Sequence, residues 1–172
     1  MATVAHSLTK QEFQEQYAER KPYFEYWFGE AVQKSVPTWL HSALQLILGE
    51  LLKRAGYRSG SELKLRIDPD WEPVPDLVGV LRKIEGPYPT EAVDVVIEIL
   101  SPEDRMARVL EKCRHYARIG TQAIFWIDPE GRVGWVWDRT AENLERVHAF
   151  HLPNGQTISL EDVFAELDKQ TT

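Results

Sequence analysis

Two carboxylates embedded in apolar runs are the residues of this chain best suited to chemistry. Asp76 follows Pro75 and opens the run Leu77–Leu81, and Glu98 lies near the end of the run Val93–Leu100. An ionised carboxylate in such surroundings is costly unless it is paired or holds a metal ion. Directly after Glu98 come Ser101-Pro102 and then Arg105, Arg108 and Lys112. These cations could neutralise the acids or meet a phosphate, although arginine stays protonated and makes a poor general base.

The elements that must position these groups follow from periodicity. In Val93–Leu100 strand alternation sets Asp94, Val96, Glu98 and Leu100 on one face and Val95, Ile97 and Ile99 on the other. Asp94 shares the face of Glu98 but lies about 13 Å away at ~3.3 Å per residue, which gives it a structural role or a place at the far end of the sheet. Ser101 as N-cap and Pro102 at the first helical position predict a helix, with Glu103 and Asp104 at its positive end and Gly120 as its stop. Its expected buried stripe is Met106, Val109, Leu110, Cys113 and Ala117, so Cys113 reads as a small buried hydrophobe. Lys112 borders that stripe, between Val109 and Tyr116, and its stem could turn toward the sheet.

Upstream, Thr9 and Glu12 have capping-box spacing for a helix over Lys10–Tyr17. The aromatic run Tyr23–Phe28, Gly29 and Glu30–Val36 predict a hairpin, on which Glu25 and Glu30 read locally as exposed charges. Pro37-Thr38 starts a helix with Leu40, Ala43, Leu44, Ile47, Leu48, Leu51 and Leu52 at helical spacing, stopped by Gly56. His41 lies beside that stripe, and its local reading is a capping or packing residue. The stretch Tyr57–Asp68 alternates with period two and predicts a strand. The loop Arg82–Ala92 is the candidate for a mobile, substrate-facing flap. Downstream, Ala123–Asp128 and Val133–Asp138 predict a hairpin with Trp135 and Trp137 on one face. Leu144–His151 follows as a strand, and a last helix runs from Ser159 to about Leu167.

With 172 residues, the chain is expected to form a single domain over 1–172, loose at 1–7 and 169–172. A composition of 43% hydrophobic and 27% charged residues is that of a globular protein, and no apolar run approaches the ~20 residues of a membrane span. The first residues lack the basic-then-apolar pattern of a signal peptide, so the expected location is cytoplasmic with no membrane partner. A single cysteine excludes an intrachain disulfide and a cysteine-based zinc site. The net charge of −7 requires any phosphate-binding surface to be local or metal-assisted. Arg105, Arg108, Lys112, Arg114 and Arg118 form one basic group, and Lys53, Arg54, Arg58, Lys64 and Arg66 form another. Either could line a cleft or face solvent.

The order helix, strand, strand, strand, helix, strand, with the acids at the start of the second strand and near the end of the third, resembles the PD-(D/E)xK, or restriction-endonuclease-like, superfamily. The closer resemblance is to its Uma-two branch of prokaryotic endonucleases. It is carried by Tyr23-Phe24-Glu25 with Gly29-Glu30, by His41, by Pro75-Asp76 and by Glu98 through Pro102. Lys112, Tyr116 through Gly120 and Phe125 through Pro129 continue it, so it spans nearly the whole chain. It implies an α/β (α+β) fold with a central mixed sheet, an N-terminal hairpin and additional C-terminal strands.

The resemblance further implies a metal-dependent phosphodiesterase that cleaves DNA. Asp76 and Glu98 would hold Mg²⁺ or Mn²⁺, for which carboxylates without sulfur ligands are suited. The bound ion polarises a phosphate and acidifies a water. The superfamily pattern places a lysine two residues after the second acid, where this chain has Leu100. In the Uma-two branch the following helix supplies it, and Lys112 matches that position as the group that activates or orients the water. Glu25, Glu30 and His41 match supporting positions, and Arg105 and Arg108 are candidate phosphate contacts. Family habit suggests a homodimer, with Trp135 and Trp137 as a possible contact face. A nuclease acting on RNA would use the same site. A binding or regulatory module with a degenerate site is the alternative that the missing strand lysine and the net acidity motivate.

Overall fold

The structure, a computed structural model, describes residues 7–171. In chain order the elements are α1 (Lys10–Gln16), β1 (Phe24–Trp27), β2 (Glu30–Gln33), α2 (Trp39–Arg54) and β3 (Arg58–Ser61). They continue with β4 (Trp71–Glu72), β5 (Leu77–Val80), β6 (Val95–Ile99), α3 (Met106–Arg118), β7 (Ala123–Asp128) and β8 (Val133–Asp138). The last are β9 (Asn143–Val147), β10 (Ala149–His151), β11 (Thr157–Ser159) and α4 (Leu160–Thr171). A six-stranded sheet of order β3-β5-β6-β7-β8-β9 forms the centre. Only β6 and β7 pair in parallel within it, because α3 carries the chain back between them. The expected α+β architecture with a mixed sheet is therefore present, and the helix-strand-strand-strand-helix-strand order is α2, β3, β5, β6, α3, β7.

Strand alternation divides the interior into two cores. Val95, Ile97 and Ile99 of β6 join α2, α4 and Phe125 in one. Val96 joins Val109, Cys113 and Tyr116 of α3, with Trp27 and Trp71, in the other. A second sheet of order β2-β1-β4 brings Trp27 and Trp71 to this side. Its hairpin turns at Phe28 and Gly29, both at positive φ, the pattern of a type I′ connection. The register Leu77↔Ile97, continued by one residue, sets Asp76 opposite Glu98, and both acids take the α3 side of the sheet.

Side-chain caps open the first two helices. In α1 the Thr9 hydroxyl accepts from the Glu12 amide at 3.2 Å and Glu12 accepts from the Thr9 amide at 2.8 Å, the expected capping box. In α2 the Thr38 hydroxyl accepts from the His41 amide at 3.3 Å, and Gly56 at φ +93° allows the chain to leave the helix.

Several boundaries differ from the sequence reading. The helix expected to open at Ser101-Pro102 begins at Met106, with Arg105 as N-cap. Asp104 bonds back to the Ser101 amide at 2.8 Å, and that local turn replaces the first helical turn. Met106 is consequently exposed, and Lys112 and Tyr116 occupy the buried face with Val109 and Cys113. The strand expected over Tyr57–Asp68 ends at Ser61, because Glu62 adopts φ +52° and breaks the extended run. The single strand expected over Leu144–His151 splits into β9 and β10, which belong to different sheets.

Residues 169–171, expected to be loose, lie in α4, and the same expectation for residues 1–6 and 172 falls outside the described residues. Trp137 is buried and Trp135 half-buried against the second core. Among the described residues no helix is long and apolar enough to cross a membrane.

Candidate active site

Asp76, Glu98 and Lys112 meet in a cleft of about 300 Å³ between the β1-β2 hairpin, α2, α3 and the edge of the central sheet. Asp76 stands at the mouth of β5 and is almost fully buried. Its Oδ2 accepts from the Ile99 amide at 2.8 Å, which locks the carboxylate to the end of β6. Its Oδ1 lies 2.7 Å from Lys34 Nζ and 3.3 Å from His41 Nε2. Burial raises the Asp76 pKa, but the Lys34 charge and the His41 contact outweigh it and hold the carboxyl well below its usual range.

Glu98 faces the other side of the cleft. Its Oε1 accepts from Lys112 Nζ at 2.8 Å and from the Tyr116 hydroxyl at 2.5 Å. Its Oε2 has a single long contact of 3.4 Å, from the Asp76 amide. Lys112 also reaches Glu25 Oε1 at 2.9 Å, and Glu25 accepts further from the Val74 amide at 2.8 Å and from Trp27 Nε1 at 2.9 Å. Burial opposes the Lys112 charge, but Glu25 and Glu98 more than offset this and keep the ammonium protonated far above neutrality. Lys112 is thus held in its protonated form between the two carboxylates.

Near Lys34 the structure adds residues that sequence reasoning missed. Lys34 lies just beyond β2 and also contacts Glu62 Oε2 at 3.0 Å and the Val74 carbonyl at 2.7 Å. Glu62, at φ +52°, is the one of the four described non-glycine residues at positive φ that lines the cleft. Gln45 of α2 donates to Glu62 Oε1 at 3.0 Å and to the Asp76 carbonyl at 2.8 Å. Period-two alternation made Glu62 read as an ordinary solvent-facing acid, and nothing local marked Lys34. Tyr116 had a signal, being four residues after Lys112 on the same helical face.

The remaining expected residues divide. Glu25 and His41 are buried in the cleft. Arg108 lines it, stacked 4.2 Å over the Trp27 ring and paired with Glu111 at 3.1 Å. Glu30 is exposed outside the cleft, 3.8 Å from Arg108. Arg105 is exposed and does not line the cleft, because the late start of α3 turns it away. The loop Arg82–Ala92, expected as a flap, joins the ends of β5 and β6 remote from the two acids and contributes no lining residue. Asp94 is structural as expected, accepting from the Leu81 amide at 2.7 Å and from Gln122 at 2.8 Å. Of the basic group Lys53 to Arg66, none lines this cleft.

The electrostatics are unbalanced. Glu25, Glu62, Asp76, Glu98 and Asp104 are five carboxylates in the lining, and Lys21, Lys34, Arg108 and Lys112 are four cations, which leaves one negative charge when every acid is ionised and His41 is neutral. The surplus is visible in Glu98. Burial, reinforced by Asp76 and Glu25 against the pull of Lys112 and Lys34, lifts its pKa to about 7. Burial lowers the His41 pKa, but Asp76 overrides it and raises the net value. Ligand atoms of His41, Glu62 and Asp76 all lie within 4.8 Å of one another, a donor set of carboxylate oxygens and one imidazole. Hard oxygen donors with one imidazole, in a lining where acids outnumber cations, fit a divalent cation.

The model of the Uma2 family, described as "Putative restriction endonuclease", matches residues 10–171. A crystal structure from Anabaena variabilis, titled a "putative nuclease", superposes at a TM-score of 0.73 with 27% identity, covering 93% of this chain and 99% of that one. The cryo-EM structure of a DrdV–DNA complex aligns at a TM-score of 0.41 with 17% identity, over 74% of this chain and 11% of that one, too remote to carry an argument. No curated protein matches the sequence.

Proposed function

The chain belongs to the Uma2 family, and from that premise we propose that it is a metal-dependent phosphodiesterase acting on DNA. The observation that carries the reading is the excess of carboxylates over cations lining the cleft, beside the His41, Glu62 and Asp76 donor cluster. A bound Mg²⁺ or Mn²⁺ supplies the positive charge that a phosphate requires and acidifies a water. Asp76 and the less committed Oε2 of Glu98 would hold the ion, with Glu62 and His41 as further donors on the Asp76 side.

The protein groups then divide the work. Lys112 stays protonated, so it orients Glu98 and Glu25 and offsets developing negative charge instead of taking a proton. The Tyr116 hydroxyl fixes the other lone pair of Glu98 Oε1. Arg108, half-exposed at the rim, contacts the phosphate chain.

Cleavage of duplex and single-stranded DNA with Mn²⁺, measured for wild type, Asp76→Ala and Glu98→Ala, tests the reading. We expect divalent-dependent cleavage by wild type, lost in both variants on the order of 10³-fold. Equal cleavage by all three overturns it. Cleavage confined to RNA moves the substrate class, and Mn²⁺ binding without cleavage of either polymer favours the binding module.

A further inference from the structure

The Lys34 ammonium is itself bound like an ion. Three oxygens surround it, two from the stretch Val74–Asp76 and one from Glu62: Asp76 Oδ1 and the Val74 carbonyl at 2.7 Å, and Glu62 Oε2 at 3.0 Å. Asp76 and Glu62 are two of the three residues whose donor atoms cluster within 4.8 Å. A divalent cation held by that cluster would need Asp76 Oδ1 at contact distance, where Nζ already sits. Two positive charges sharing one oxygen in a buried site repel strongly. We propose that Lys34 is a tethered place-holder for the metal ion, neutralising the donor cluster in the metal-free protein and withdrawing its ammonium when the ion binds. The inference rests on the metal-dependent reading above and adds that an internal competitor sets metal affinity.

Two features make the exchange physically reasonable. The cluster does not depend on Lys34 for its shape: the Ile99 amide holds Asp76 Oδ2 at 2.8 Å, and Gln45 holds Glu62 Oε1 at 3.0 Å. The carboxylates therefore stay aimed after the ammonium leaves. Lys34 lines the cleft through a flexible four-carbon stem, so its ammonium can withdraw while its backbone amide stays bonded to the Tyr23 carbonyl at 2.9 Å. Lys112 lacks this freedom, because both of its carboxylate partners and Tyr116 enclose it.

The test is calorimetric titration of Mn²⁺ into wild type, Lys34→Gln, Lys34→Met and Asp76→Asn, with thermal melts in the presence and absence of Mn²⁺. Lys34→Gln retains a side-chain donor while removing the charge, which guards against failure to fold. We expect both Lys34 variants to bind Mn²⁺ about tenfold more tightly or better than wild type. They should melt lower without metal and recover the difference with it, and Asp76→Asn should bind none. Equal or weaker affinity in both Lys34 variants, with wild-type binding that depends on Asp76, overturns the place-holder and leaves the metal reading standing. No binding by wild type or by either Lys34 variant overturns both.

Discussion

The cleft contains two lysine–carboxylate groups of nearly the same composition and different character. Lys112 is enclosed by Glu25, Glu98 and Tyr116, with Trp27 behind Glu25, and every oxygen of Glu25 is committed to a donor. Lys34 sits between Asp76 and Glu62 beside His41, at the cleft wall, among atoms that could serve a metal. The first group is a closed network whose charges cost much to separate, and the second is an arrangement in which one cation can replace another. Identity of residue type thus says little about role. The number of remaining partners and access to solvent decide it.

Substitutions that treat the two groups differently sharpen the contrast. The largest expected effect is Lys112→Met, which strands Glu25 and Glu98 and should remove about 3–5 kcal/mol of stability in denaturant unfolding, a loss Mn²⁺ does not restore. Full recovery with Mn²⁺ would make the Lys112 group exchangeable too and erase the distinction. Tyr116→Phe removes one hydrogen bond to Glu98 and should cost about 1.5–3 kcal/mol in the same measurement.

On the open side, His41→Ala should weaken Mn²⁺ binding by about 10–100-fold in calorimetry while the melting temperature without metal changes little. A large metal-free destabilisation instead would assign His41 to packing.

The last contrast is a pH dependence. The Glu98 pKa is raised from 4.5 to about 7 in the folded state. Folding therefore favours its protonated form, and the stability this contributes is full below pH 4.5 and lost as pH rises through about 7. Glu98→Gln lacks this dependence, so melts from pH 5 to 8 should show wild type losing ground to the variant as pH rises. A constant difference would mean that Glu98 is ionised throughout.

Much of the scaffold was legible in the sequence because its signals are local. The α2 stripe, the capping box of Thr9 and Glu12, the alternation in Val93–Leu100 and the hairpin turn at Gly29 all depend on neighbours in the chain. The start of α3 was not, because Asp104 competes for the Ser101 amide and the sequence holds signals for both outcomes. Of the site, Asp76 and Glu98 stood out as acids among hydrophobes, and Lys112 through its place on a buried helical face and the family resemblance. Glu62 and Lys34 did not stand out. A positive φ at a non-glycine residue and a contact spanning 42 positions leave no local mark.

From the sequence alone came the alternation that points Asp76 and Glu98 to one side of a sheet, the helices that flank them and the family that shares the pattern. These depend on period and residue type, which are properties of short segments. Only the tertiary structure decided which cation meets which acid, because that depends on side chains from β1, β2, α2 and α3 converging across the sheet. It set Lys112 in a closed network and Lys34 at the donor cluster, two lysines that carry the same charge and differ in what surrounds it.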